Sequence, residues 1–115
     1  MQKITHVWFV TEMNLYNLAH KLGMVNIEED AENFWEWVTG ELMGVTLDIT
    51  RTHTVPPTKT DTRIFLLDKN NYFPDELLDI LTKKLKILQI SPLYLGSVKY
   101  ISGNDFESHP VKVIN

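Results

Sequence analysis

Apolar and polar positions change period several times along this chain, and each change marks an element. From Ile4 to Val10 both alternating sets are apolar, with Ile4, His6, Trp8 and Val10 on one side and Thr5, Val7 and Phe9 on the other. A segment rich in β-branched and aromatic residues on both faces fits the interior of a sheet, so residues 3–11 are predicted to form a central strand. Leu15, Leu18, Ala19 and Leu22 then follow at i, i+3, i+4 and i+7. That spacing predicts a helix over 12–22, which Gly23 is placed to end.

The spacing of Ala31, Phe34, Trp35, Val38 and Leu42 falls within one helical stripe and predicts a second helix over 28–43. Strict alternation returns at 45–54. Val45, Leu47, Ile49, Arg51 and His53 share one face, opposite a polar row of Thr46, Asp48, Thr50 and Thr52. This predicts a strand with one dry and one solvated side. Pro56 and Pro57 interrupt the ladder, and Arg63–Lys69 forms the next strand. Pro74, Asp75 and Glu76 open a third helix, whose buried side is Leu77, Ile80, Leu81, Leu85 and Leu88. A strand over 93–102 follows, then a turn at Gly103–Asp105, and residues 111–114 could add an edge strand.

The predicted order is β-α-α-β-β-α-β, with a final β in addition. With the first two helices as one interrupted crossover, this is an α+β, ferredoxin-like (split βαβ) sandwich. It would have an antiparallel sheet of four to five strands with helices on one face. The expected core includes Trp8, Val10, Leu18, Leu22, Phe34, Val38, Leu47, Ile49, Phe65, Leu77, Leu81, Leu85 and Val98. At 115 residues the chain is expected to form a single domain, 1–115.

Composition narrows the chemistry. With no cysteine, thiol catalysis and cysteine-bound metal are excluded. A net charge of −4 argues against nucleic acid as a partner. No apolar run approaches membrane-spanning length, and the N-terminus lacks a signal-peptide pattern, so a cytoplasmic protein without a membrane partner is expected. The serines at 97 and 102 do not stand in a Gly-x-Ser-x-Gly turn, and the glycines form no phosphate-binding loop. His6 with His53, and the alternating Asp105, Glu107 and His109, are weighed as metal or catalytic groups, but a sheet histidine and a solvated loop account for them better. No catalytic residue, metal or cofactor is assigned.

Charge is unevenly placed. Residues 1–44 hold seven acids and two lysines, net −5, whereas 45–115 hold eight acids and nine bases, net +1. Glu28, Glu29, Asp30, Glu32, Glu36 and Glu41 have no base among them, so a helix there would lack stabilising i,i+4 pairs. Trp37 falls about 110° from the centre of the helical stripe, beside Asn33, Asp30 and Glu41. A tryptophan ringed by carboxylates has the makeup of an interface anchor, with acids that would steer a basic partner. Asp30, Asn33, Glu36, Trp37 and Glu41 are therefore the expected partner-binding residues.

In size, acidity, absence of cysteine and this acidic aromatic segment with Trp35 and Trp37, the chain resembles the immunity proteins of bacterial toxin–immunity pairs. The resemblance is one of type and carries no family motif. It implies a monomer or weak dimer that neutralises a cognate toxin, often a basic nuclease, by covering its active cleft. Two rival readings stand beside it. One is a regulatory or small-ligand-binding homo-oligomer using the Thr46, Asp48, Thr50 and Thr52 face. The other is a small enzyme built on Arg51 and His53, which are expected to surface beyond the end of the core.

Overall fold

The computed structural model describes residues 3–32, 35–52, 61–68, 71–102 and 105–115, with the backbone alone for 99–102 and 105–108. Its elements are β1 (His6–Phe9), α1 (Leu15–Leu22), β2 (Val25–Glu32), β3 (Trp35–Leu42), β4 (Val45–Thr52), β5 (Thr62–Leu66), α2 (Asp75–Ile87), β6 (Leu93–Ser102) and β7 (Asp105–Ile114). The strands make one seven-stranded sheet in the order β2-β3-β4-β5-β1-β6-β7, with every described pairing antiparallel.

One row of side chains across the sheet explains why these segments pair in this register. Val38 lies opposite Ile49, Ile49 opposite Ile64, Ile64 opposite Val7, and Val7 opposite Leu95. All five are buried, in one cluster with Leu15, Leu18, Ala19 and Leu22 of α1 and Leu77, Leu81 and Leu85 of α2. Slipping any of these strands by one residue would turn its apolar set away from the helices. The helix ends are conventional. The Asn14 side chain accepts from the Asn17 amide at 3.1 Å, and Gly23 closes α1 in the left-handed conformation at φ 88°. In α2, Asp75 and Glu76 sit in the first turn and Lys84 and Lys86 in the last, matching the helix dipole.

The ferredoxin-like sandwich is not the fold. The sheet has seven strands instead of four to five, and the departure begins in the predicted helix 28–43, where residues 28–32 and 35–42 are instead paired strands of β2 and β3. Val38 and Leu42 do enter the core, but through period-two alternation along β3. Trp35, Trp37, Val38 and Thr39 favour a pleated surface, and a helix would have placed Thr39 and Gly40 in its interior. The edge strand β2 is exposed at every position except the half-buried Ile27, so neither face needs an apolar pattern.

Other expectations change with the sheet. The tail strand runs from Asp105, well before residue 111, and includes Pro110, which an edge strand tolerates. Val10 lies past the end of β1 and is exposed, while Trp8 is buried on the sheet face turned away from the helices. Phe65 and Val98 share that second face and are half-buried. The row expected to be solvated is not: Asp48 and Thr50 are buried, with the Thr50 hydroxyl donating to the Asp48 carboxylate. They are flanked in register by Phe65 and by Trp37 with Arg63, which keep water off them. Phe34 lies outside the described residues.

One turn and one strand pairing depend on backbone permissiveness. Met43 and Gly44 join β3 to β4 with φ of 54° and 75°, the sign required by a tight I′ hairpin turn. Gly96 pairs with Pro110 so closely that a Cβ would sit 2.1 Å from the His109 carbonyl oxygen. Replacing Gly96 with Ala should cost about 1–3 kcal/mol by overpacking two backbones, measured by denaturant unfolding. Met43→Asn should raise stability by about 0.5 kcal/mol, because Asn tolerates positive φ better than Met.

Candidate functional site

The acids that stand out in the sequence sit on an edge strand. Glu28, Glu29, Asp30 and Glu32 of β2 are all exposed, and only one side of the strand, toward β3, is paired among the described residues. Asn26 has a positive φ of 54°, and the register shifts between Val25 and Glu28, so β2 begins with a bulge. Opposite it, Glu28 meets Thr39, Asp30 meets Trp37 and Glu32 meets Trp35. These pairs share the sheet face turned away from the helices. Glu29 and Ala31 alternate to the helix side, opposite Val38 and Glu36.

On that helix side a cleft of about 280 Å³ opens between the start of α1 and the hairpin. Asn14, Leu15 and Tyr16 form one wall, and Glu29, Ala31, Glu36 and Val38 the other, with Asp30 and Trp37 also bordering it. The wall is held by Arg51, a buried cation at the end of the apolar face of β4. Its guanidinium donates in three directions: Nη1 to Glu36 Oε1 at 3.2 Å, Nη2 to the Met13 carbonyl at 2.7 Å, and Nε to Thr62 Oγ1 at 3.1 Å. Thr62 in turn donates to Asp61 Oδ1 at 3.0 Å. One side chain thus ties β3, β5 and the segment leading into α1. A planar fork with donors on three edges suits this geometry, and an ammonium on a flexible stem does not.

Of the residues expected to bind a partner, Glu36 lies on the cleft side of the hairpin, whereas Asp30 and Trp37 border the cleft from positions whose side chains belong to the opposite sheet face. Glu36 contacts Arg51 and is a positioning group as much as a surface charge. Trp37 is half-buried, and the exposed indole is that of Trp35, 41 % exposed with the Arg63 guanidinium 5.3 Å from its ring centre. Glu41 stands apart at the far end of β3, opposite Val25, where its carboxylate accepts from Asn26 Nδ2 at 3.4 Å. Asn33 lies outside the described residues.

Sequence reasoning counted Glu29 in the acidic run but not in the site, and it missed Tyr16 and the role of Arg51. Only Arg51 left a signal, as a cation continuing the apolar alternation of its strand. Its expected emergence at the surface is corrected by its burial, and His53 lies outside the described residues. On the second sheet face His6 stacks on Trp8 and Phe65, with ring centres 5.5 and 5.0 Å apart, and bonds to Thr5 Oγ1 at 2.8 Å. The side chains of Asp105 and Glu107 are outside the described set, and His109 is exposed. Among the described residues no group of three His, Asp or Glu side chains could hold a metal ion, and no helix is long and apolar enough to cross a membrane.

No family model, curated protein or solved structure matches the chain. Arg51→Ala should destabilise the protein by about 2–3 kcal/mol, the cost of leaving buried acceptors without a charged donor. Arg51→Lys should recover only part of that loss. Thermal unfolding of both variants provides the check.

Proposed function

We propose that this chain is an inhibitor that binds a basic protein partner, an immunity-type protein acting in the cytoplasm against a toxin domain, with the β2–β3 hairpin as its binding surface. The observation that carries this reading is the concentration of four exposed acids on one edge strand beside an open cleft, with Trp35 exposed in the same hairpin. Carboxylates at a rim raise the rate of encounter with a cationic surface, and a neighbouring indole supplies contact area of the kind that dominates binding energy. The anchor of this surface is Trp35 together with the half-buried Trp37, where the sequence had pointed to Trp37 alone.

The rival reading of a small-ligand or homo-oligomeric module draws less support. Its polar row contains Asp48 and Thr50, which are buried. A catalytic role for Arg51 draws little either, because its guanidinium is engaged in holding the cleft wall.

The experiment is co-expression with a basic toxin domain, taken from a neighbouring gene where one is encoded, followed by association kinetics with the purified pair. Wild-type protein should restore growth. Glu29→Lys with Asp30→Lys should slow association by about tenfold or more and flatten its salt dependence, with the melting temperature little changed. Failure of the wild type to protect, or protection and kinetics unaffected by the charge reversals, would overturn the reading.

A further inference from the structure

We infer that β2 is a receptor for strand addition: an extended basic segment of the partner pairs with the outer side of residues 27–32 and becomes an eighth strand. This deepens the binding reading above and rests on it for the partner's charge. Among the described residues no strand pairs with the outer side of β2, and its outward N–H and C=O groups can take up another chain apart from the Ala31 N–H, which already donates to Asp30 Oδ1 at 2.8 Å. Strand addition to such an edge draws affinity from main-chain hydrogen bonds and specificity from alternate side chains.

Charge selects the occupant. Glu28, Asp30 and Glu32 line one face of β2 and Glu29 the other, with no base on the strand. A second copy of this chain would set two such groups of four acids on neighbouring strands, and like charges directly opposite each other in a sheet are destabilising. An incoming strand with Arg or Lys at alternating positions meets the opposite case. Its cations on one face lie beside Glu28, Asp30 and Glu32, in line with Trp35 and Trp37 of β3. Side chains on its other face reach the open margin of the cleft beside Glu29 and Ala31. The opposite sheet edge does not invite the same partner, since β7 presents Pro110, which has no N–H, and Lys112.

The test uses the full chain and three fluorescent octapeptides. One alternates Arg and Val, one has the same sequence with every backbone nitrogen methylated, and one alternates Glu and Val. The Arg-Val peptide should bind and perturb backbone amide resonances of residues 27–32 most strongly. The methylated peptide, equal in charge but without N–H donors, should bind more weakly by about tenfold or more, and the Glu-Val peptide should not bind. Equal binding of the two cationic peptides would overturn strand addition, as would perturbations centred away from β2 or a dimer of the free protein paired through β2. The two readings fail separately. If no toxin domain is neutralised but the peptides behave as expected, the inhibitor reading falls and the edge remains. If one is neutralised and methylation has no effect, the edge falls and the inhibitor reading remains.

Discussion

The guanidinium of Arg51 sits where the apolar row of β4 runs out, and it replaces hydrophobic packing at that end of the sheet. Its three donors reach Glu36, the Met13 carbonyl and Thr62, so β3, the entrance to α1 and β5 share one buried cation. A buried charge is tolerated only when paired and hydrogen-bonded, and this one is satisfied on every side. The consequence is positional. The carboxylate of Glu36 and the segment leading into α1 are held on the same centre, and β3 and the start of α1 are opposite walls of the cleft. Disturbing Arg51 therefore acts on both walls at once.

Beyond that centre the sheet continues past its covering helices. β3 still contributes Val38 and Leu42 to the core, whereas β2 contributes only the half-buried Ile27. A strand whose side chains are exposed apart from the half-buried Ile27 has little hydrophobic reason to stay attached. It is retained by its ladder to β3, and its acids keep it from pairing with copies of itself. The same acids make it suited to a cationic chain, so protection from self-association and selection of a partner come from one set of side chains.

This double exposure is also why the hairpin was hard to read. Strands β1, β4, β5 and β6 were legible because burial of one or both faces writes an alternating or continuous apolar pattern. Both helices were legible from their leucine stripes. In β2 only Ile27 is even half-buried, so no period-two signal exists, and the apolar residues at 31, 34, 35, 38 and 42 mimic a helical stripe. The contrary signs were physical ones: six acids without i,i+4 partners, a tryptophan off the stripe, and Thr39–Gly40 in a supposed helix interior. Each is ordinary in a hairpin. Of the candidate site, Asp30, Glu36 and Trp37 were visible as an acidic aromatic cluster, because composition survives an error in secondary structure. The contribution of Tyr16 was not visible, since α1 meets the hairpin only through the tertiary fold.

The central claim is that β2 is an attached but open edge, and residue-resolved amide hydrogen exchange of the free protein addresses it directly. In β3, flanked by β2 and β4, amides should be protected throughout. Along β2 protection should alternate, slow where the N–H turns to β3 and fast where it turns outward. Slow exchange at every position of β2 would mean that its outer side is already covered. Fast exchange throughout both strands would mean that the hairpin is not held, and either result would contradict the account.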